Sequence, residues 1–374
     1  MKNVFNVEVI NLVAQHIAEQ QVSFDRDKFL VVATDDIENR ELKDRANQIC
    51  LALKVTLPQD FPAALDILLA SLQPEIDNMD LQNVTTDESG VAGWIILPYS
   101  QYVGELGQNH LELSLSALKT MTRLFSSEFG IRYFLINHES QTLEILKSWL
   151  NDPCCHVRRL ISEGTRPLLP WAMQLTELKQ TPDLVLPLLT KLRDDDSEYV
   201  RRSVANHLND ISKNHPDWIA KVVEDWYENT NQKRQKLLKH ASRTLIKQGN
   251  RSVLAVFGFH QVSSLKVSLK LDKSRLNLGE SISLRLMVNN QSAVNNNLLI
   301  DYVIHHQKAN GQLTPKVFKW KTLNLKSGQT IELNKLHSIK PITTRKYYPG
   351  EHKVAVLING QQFESQSFKL HLSE

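Results

Sequence analysis

The chain has 374 residues, of which 41% are hydrophobic and 23% charged, so it is long enough for two domains and has the composition of a folded protein. No apolar run approaches 18 residues, and the N-terminus lacks the charged and apolar blocks of a signal peptide, so we expect neither a membrane span nor secretion. The cysteines at 50, 154 and 155 have neither a disulfide pattern nor metal-ligand spacing. We therefore expect a cytoplasmic protein with no metal and no cofactor.

The formal net charge is only +3, but the charges are distributed unevenly along the chain. Residues 1–144 contain 10 basic and 21 acidic residues, whereas residues 260–374 contain 16 basic and 7 acidic ones. Between residues 230 and 271 there are nine basic residues and no acidic one. Single-sign faces of solvated helices explain part of this imbalance. A charge gradient across two domains favours a polyanionic partner such as nucleic acid.

The first 259 residues are predicted to be mostly helical, because apolar residues recur at helical spacing. Predicted helices lie within residues 1–57 and at residues 61–72, 94–106, 111–125, 143–150, 218–226 and 232–248, with a polar loop at residues 78–93. Ser127 is a candidate N-cap, which would place Glu128 in the first turn of the next helix. A helix dipole favours an anion there, so Glu128 also has a purely structural explanation.

The most informative stretch is residues 152–171, which reads DPCCHVRRLISEGTRPLLPW. Its first half is a predicted helix with an apolar stripe, and Arg159, Glu163 and Arg166 follow an i, i+4, i+7 spacing on another face. A glycine and two prolines then end the helix ahead of Trp171. Two arginines, one carboxylate and an indole are therefore gathered at one helix end.

This pattern recurs 43 residues later, where residues 195–210 align without a gap on residues 152–167. Both copies begin with Asp and contain Val-Arg-Arg five residues on, and Arg202 and Asp210 share the predicted polar face of the second copy. A looser third copy follows about 37 residues later, with Lys239, Arg243 and Lys247 on its polar face. A period near 40 is typical of HEAT-like helical repeats, which stack into a solenoid.

From about residue 260 the hydrophobic period changes to two. Seven predicted strands are separated by turn signals such as Asn-Gly and Pro-Gly, and they cover residues 265–271, 282–288, 298–305, 317–323, 330–336, 353–358 and 363–372. An immunoglobulin-like sandwich without its cysteine pair fits this spacing. We therefore predict an all-α HEAT-like repeat domain at residues 1–259, followed by an all-β immunoglobulin-like domain at residues 260–374.

Several common catalytic patterns are missing from the sequence, among them a Gly-rich phosphate loop, Cys-x-x-Cys, His-Glu-x-x-His and Gly-x-Ser-x-Gly. Three other segments together resemble a known family: SSEFGIR at residues 126–132, VRRLISEGTRPLLPW at 157–171 and YVRRSVANHLND at 199–210. They resemble the AlkC-type DNA alkylation-repair glycosylases, a HEAT-like-repeat family in which some members carry a C-terminal immunoglobulin-like domain. The resemblance covers the whole helical region, and SEGTRP…PW is its most specific part.

The resemblance implies an enzyme that acts on alkylated double-stranded DNA, and we expect it to be a monomer. It would hydrolyse the N-glycosidic bond of bases methylated at N3, such as 3-methyladenine and 3-methylcytosine, without turning them into a tight pocket. Such bases are cationic and leave readily, so the protein has to stabilise positive charge on the sugar and orient a water, and a carboxylate does both.

Carried over residue by residue, the resemblance gives each candidate a role. Glu163, Glu128 and Asp210 are the expected active-site carboxylates, and Trp171 is the expected aromatic contact with the lesion. The expected DNA contacts are Arg159, Arg166, Arg202, Lys239, Arg243 and Lys247.

Each role also has a structural alternative. Glu163 would otherwise form an i, i+4 ion pair with Arg159, worth only about 0.3–0.5 kcal/mol. Asp210 would be a structural residue of the repeat, and Trp171 would fill the gap where the prolines end the helix. For the whole protein the alternative is a non-catalytic HEAT-repeat scaffold that binds nucleic acid or protein, which leaves the clustering of Glu163 and Trp171 unexplained.

Overall fold

The computed structural model describes residues 2–74, 81 and 83–372, and in them an α-helical region is followed by a β-sandwich. The predicted fold class is therefore confirmed. The predicted loop at residues 78–93 lies partly outside the described residues, and its described part leads into a short 3-10 turn at Gly93–Ile95. None of the described helices is both long and apolar enough to cross a membrane.

Within the described residues there are sixteen α-helices. They are α1 (Val7–Gln20), α2 (Arg26–Thr34), α3 (Leu42–Thr56), α4 (Phe61–Ala70), α5 (Ile96–Leu106), α6 (Leu111–Met121), α7 (Ile131–Asn137), α8 (Glu139–Ser148), α9 (Cys155–Gly164), α10 (Thr176–Gln180), α11 (Leu186–Leu192), α12 (Glu198–Ile211), α13 (Pro216–Tyr227), α14 (Gln232–Ala241), α15 (Arg243–Lys247) and α16 (Arg251–Val256).

The chain divides into two compact units. The first comprises residues 1–215 and 231–241, and the second comprises residues 216–230 and 242–374. Helices α13, α15 and α16 therefore belong to the same unit as the sandwich. The domain boundary expected at residues 259 and 260 falls between α16 and the first strand, and it stays a prediction.

The helical repeat is built around α9 and α12, which pack against each other through their apolar stripes. Val157 and Leu160 of α9 and Val200 and Val204 of α12 are all fully buried. Helix α12 packs in turn against α14. At the end of α9 a Cβ on Gly164 would lie 2.7 Å from Cγ2 of Ile131, so this helix end needs a residue without a side chain.

The aspartates that begin the two repeat copies have the same local role. Oδ1 of Asp152 accepts a hydrogen bond from the backbone N–H of Cys154 at 2.9 Å. Oδ1 of Asp195 accepts one from the backbone N–H of Ser197 at 2.8 Å. Each carboxylate thus orders the chain just before its helix, as short polar side chains do at helix starts.

The first arginine of each Arg-Arg pair is also a scaffold residue. Nη1 of Arg158 donates to the backbone oxygen of Asp152 at 2.7 Å, and Nε and Nη2 donate to the carboxylate of Asp195 at 2.6 and 2.9 Å. Arg201 donates to the backbone oxygens of Asp195 and Asp196. These matching contacts support the 43-residue alignment.

Two predicted helix boundaries are wrong. The helix expected to start at Ser127 begins at Ile131, and the buried Ser127 hydroxyl has no hydrogen-bond partner among the described residues, so it is not the N-cap. Glu128 therefore lies in the turn before α7 and outside its first helical turn. The predicted helix at residues 232–248 is broken at Ser242 into α14 and α15.

The sandwich contains a three-stranded sheet of order β1-β3-β6 and a five-stranded sheet of order β2-β8-β7-β4-β5. Their bounds are β1 (Leu265–Leu271), β2 (Arg275–Asn277), β3 (Ser281–Asn290), β4 (Asn296–Gln307), β5 (Leu313–Leu325), β6 (Thr330–Ser338), β7 (Gly350–Ile358) and β8 (Gln361–His371). All seven predicted strands are present. The additional strand, β2, pairs parallel with β8 and has only three residues, too few to show a period of two.

Candidate active site

A cleft of about 510 Å³ lies in the first unit, a volume within the range of sites that bind small molecules. It is lined by Glu128, Glu163, Arg159 and Arg166, four of the residues singled out from the sequence. Its aromatic lining consists of Trp94, Phe125, Phe129, Tyr133, Trp171 and Tyr199. Charged groups and aromatic faces therefore meet in one place.

Glu163 is the most completely engaged carboxylate of the cleft and is only 5% exposed. Oε1 accepts from Nη1 of Arg166 at 2.7 Å and lies 3.4 Å from Nη2 of Arg159, while Oε2 accepts from the Ser203 hydroxyl at 2.6 Å. Burial alone raises the pKa of Glu163, but the two arginines and the Ser203 hydrogen bond outweigh it and hold the pKa below its ordinary value. The group is therefore an anion at neutral pH.

The expected i, i+4 ion pair between Arg159 and Glu163 exists, but it is one of several contacts of each residue. Nη1 of Arg159 donates to Oε2 of Glu128 at 2.8 Å, and the Ser126 hydroxyl donates to the same oxygen at 2.7 Å. The Arg159 guanidinium also lies 4.7 Å from the ring centre of Tyr199. Arg159 therefore bridges the two carboxylates of the cleft.

Asp210 lies behind these groups and is not part of the cleft lining. It is 2% exposed, and its Oδ2 accepts from Nε of Arg166 at 2.9 Å. Nζ of Lys213 donates to the other carboxylate oxygen at 3.1 Å. Because Arg166 also holds Glu163, Asp210 is connected to the cleft through a shared guanidinium.

Trp171 is 59% exposed and lines the cleft. A side chain so open to solvent does not fill a gap in the core, so that structural alternative is wrong. Its backbone has φ of 66°, a left-handed conformation that is unfavourable for a bulky residue and that only a constrained loop maintains. The Trp171 carbonyl accepts a hydrogen bond from Nζ of Lys43 at 2.8 Å.

Arg132 holds this loop in place, although the sequence analysis noted it only as the last residue of the SSEFGIR segment. Its side chain is fully buried, and Nη1 donates to the carbonyls of Gly164 at 2.9 Å and Arg166 at 2.8 Å. Nε donates to the carbonyl of Met173 at 2.7 Å. One guanidinium thus fixes both ends of the segment that carries Arg166 and Trp171.

Ser203 is a second site residue that the sequence did not identify. Besides its bond to Glu163, its hydroxyl lies 2.9 Å from the Ser162 hydroxyl. The fully buried His207 has Nδ1 2.9 Å from the Ser162 carbonyl. Burial lowers the pKa of His207 to about 4, so the ring is neutral and donates from Nδ1.

The remaining expected DNA contacts lie outside the cleft. Arg202 is exposed in a groove of about 310 Å³ whose basic lining includes Arg201, Lys233 and Lys236. Lys239 is exposed on α14 in the same unit, while Arg243 is partly buried and Lys247 exposed on α15 in the second unit. Their contact with DNA stays a prediction. In the described part of the chain no group of three or more His, Cys, Asp or Glu side chains is arranged to hold a metal ion.

Comparison with known proteins gives matches to both parts of the chain. Residues 125–245 match the family model described as DNA alkylation repair enzyme, and residues 266–372 match that of the C-terminal Ig-like domain of the uncharacterised protein YhaZ. YhaZ of Bacillus subtilis (strain 168) is 35% identical over 372 residues, which cover 99% of each chain. The solved structure of Pseudomonas fluorescens alkylpurine DNA glycosylase AlkC, bound to DNA containing an abasic site analogue, is 35% identical, with a TM-score of 0.88 and 99% of each chain covered.

Proposed function

Because the chain belongs to the AlkC-type family of DNA alkylation-repair enzymes with a C-terminal immunoglobulin-like domain, we propose that it is a DNA glycosylase. It removes positively charged bases methylated at N3, such as 3-methyladenine and 3-methylcytosine, from alkylated double-stranded DNA. The observation that carries this proposal is the anionic Glu163, held at the wall of an aromatic cleft by two arginines and Ser203.

The chemistry requires little help for the leaving group. When the N-glycosidic bond breaks, its electron pair neutralises the cationic base, and the positive charge moves to C1′ and the ring oxygen of the sugar. Glu163 stabilises that developing cation because its charge is fixed in place before the reaction begins. Preorganised groups of this kind typically contribute about 10²–10³ in rate.

Glu128 is a better candidate than Glu163 for orienting and deprotonating the attacking water. Its Oε2 is occupied by Ser126 and Arg159, whereas its Oε1 has no partner among the described residues. We assign to Glu128 the orientation of the attacking water and the removal of its proton, while the hydroxide bonds to C1′. The two carboxylates thus divide charge stabilisation and proton transfer between them.

The other site residues support these two carboxylates. We infer that Asp210 and Arg166 are positioning residues, because Asp210 reaches the cleft only through the Arg166 guanidinium. The exposed Trp171 offers an indole face to a cationic base, an attraction of about 1–2 kcal/mol once water is excluded. The carboxylates, arginines and indole assigned here all come from the first compact unit, so we propose that a monomer is active.

Base release tests the proposal directly. DNA is methylated as single strands, in which N3 of cytosine is not base-paired, then annealed and incubated with the protein, and free 3-methyladenine and 3-methylcytosine are quantified by chromatography against a sample without protein. We expect release of both bases far above the spontaneous rate. Tight binding to methylated DNA without base release would contradict the proposal and favour a non-catalytic scaffold.

A further inference from the structure

One part of the cleft wall has no role in the chemistry above. It is formed by the polar side chains of Asn47 from α3, Gln101 from α5 and Tyr133 from α7. Behind them Lys54 and Glu105 form an ion pair whose side chains are 31% and 24% exposed. These five residues form one connected hydrogen-bond network that ends at the cleft wall.

Glu105 is the acceptor at the centre of this network. Its Oε1 accepts from Nε2 of Gln101 at 2.8 Å and from the Tyr133 hydroxyl at 3.0 Å, and its Oε2 pairs with Lys54. Burial alone raises the pKa of Glu105, but the bonds from Lys54, Gln101 and Tyr133 hold the pKa below its ordinary value. The carboxylate is therefore ionised at neutral pH and can only accept hydrogen bonds.

This fixes the orientation of the Gln101 amide. Its NH₂ group has to face Glu105, because a carbonyl oxygen in that place would meet an anion. The second hydrogen of that NH₂ group is directed to Oδ1 of Asn47, 3.1 Å away. Both amide hydrogens are thus engaged, and the Gln101 Oε1 has no partner among the described residues. The cleft wall therefore presents the amide oxygen of Gln101 as a hydrogen-bond acceptor, and the amide cannot flip to present its NH₂ group instead.

We propose that Oε1 of Gln101 accepts a hydrogen bond from the exocyclic amino group of the damaged base, and so favours bases that carry this group. The assignment rests on the proposed glycosylase function. The target bases 3-methyladenine and 3-methylcytosine both have such an amine, and the positive charge of the methylated ring strengthens it as a donor. An analogue without the amine leaves the acceptor unpaired, which is how polar sites discriminate between substrates.

Two substrates that differ only in the amine test this assignment. One oligonucleotide contains deoxyadenosine, and the other contains deoxynebularine, a purine nucleoside without the amino group; both are methylated in the same way. The specificity constant for release of the N3-methylated base is measured with each, after subtraction of spontaneous release. We expect the protein to prefer 3-methyladenine by about tenfold, the value of one hydrogen bond to a charged donor.

The variant Gln101→Leu should remove most of this preference by slowing release of 3-methyladenine while leaving release of the base without the amine nearly unchanged. Gln108→Leu is the matched control, because Gln108 follows α5 in the chain but bonds to the Gly104 carbonyl and Asn137, outside the cleft lining. It should retain the full preference. Thermal unfolding of each variant confirms that it is folded.

A second variant tests the hydrogen bond to Glu105 that orients the Gln101 amide. Glu105→Gln keeps the size of the side chain but removes the acceptor-only partner, so Gln101 becomes free to turn and the preference should fall.

Two results would overturn the assignment: no preference in the unchanged protein, or an equal slowing of both substrates in Gln101→Leu. Release of neither base by the unchanged protein is a different outcome, which refutes the proposed function and this assignment with it.

Discussion

Helices α9 and α12 come from two copies of one repeat, and comparing them separates scaffold positions from site positions. In both copies the first arginine of the Arg-Arg pair, Arg158 or Arg201, donates to backbone carbonyls just before its own helix. The second arginine differs between the copies. Arg159 is held by the carboxylates of the cleft, whereas Arg202 is exposed in a basic groove.

The position four residues after that arginine shows the largest chemical difference. In α9 it is Glu163, an anion between two arginines, and in α12 it is Asn206, whose Oδ1 lies 2.9 Å from Nε2 of His240. The shared positions keep the helices in place. The proposed catalytic centre therefore results from a few replacements on an otherwise repeated surface.

The largest expected effect comes from Arg166→Met. Asn209 of α12 stands at the equivalent place in the second copy, so the repeat does not need an arginine there. In the first copy the change leaves the buried Glu163 and Asp210 without their shared cation. Removing one partner from such a network costs about 3–5 kcal/mol of unfolding free energy. Urea denaturation measures it. The control Lys213→Met removes a half-exposed cation from the same Asp210, and it should lower the unfolding free energy by less than about 1 kcal/mol. Equal losses of unfolding free energy in the two variants would contradict this account of the network.

The variant Trp171→Ala removes an indole for which α12 has no equivalent aromatic side chain. We expect release of 3-methyladenine to slow by about tenfold, the size of a lost cation–π contact. Affinity for undamaged DNA should change little, because phosphate contacts dominate it. Since Trp171 is 59% exposed, the melting temperature should hardly fall. A sharp fall in melting temperature with normal release by the folded fraction would refute the recognition role.

Substitutions of the two neighbouring arginines of α12 should affect different properties of the protein. Arg202→Gln should weaken DNA binding by about three- to fivefold and lower the slope of log affinity against log salt by about 1, as expected for one phosphate contact. Its unfolding free energy should stay the same. Arg201→Gln should instead lower stability, because Arg201 binds backbone carbonyls. If Arg202→Gln leaves the salt slope unchanged, the groove is not a DNA contact.

The smallest expected effect is that of mild acid on base release, which depends on the charge of Glu163 in α9. The pKa of Glu163 is held below its ordinary value, so this group stabilises the fold at neutral pH, and that contribution is lost only as the pH falls through the lowered pKa. Base release corrected for the spontaneous reaction should therefore change by less than about twofold between pH 7 and pH 5. A fall centred near pH 6 would show that the catalytic carboxylate has a raised pKa.

The sequence was sufficient to predict features whose pattern repeats over a few residues. Seven strands followed from their period of two. The grouping of Arg159, Glu163 and Arg166 followed from their spacing, although Arg166 lies beyond the end of α9, and their roles came from the family resemblance. The strand β2 did not, because three residues show no period.

Contacts between distant parts of the chain were harder to predict. Arg132 acts on carbonyls 32 to 41 residues away, and the hydroxyl of Ser203 reaches Glu163 across two packed helices. Ser203 directly follows the Arg-Arg pair of the second copy, and that position was the one available signal. Asp210 was expected on a polar face but is buried, because Arg166 from the other copy covers it.

The most direct test of the account is single-turnover release of 3-methyladenine by Glu163→Gln, compared with Asn206→Asp at the equivalent place in α12. Glutamine keeps the size of the side chain and an oxygen for Arg166, so folding and DNA affinity should persist. We predict that Glu163→Gln slows release by about 10²–10³ and that Asn206→Asp changes it by less than about threefold. A Glu163→Gln rate within about threefold of the unchanged protein would contradict the central claim that this carboxylate carries the reaction.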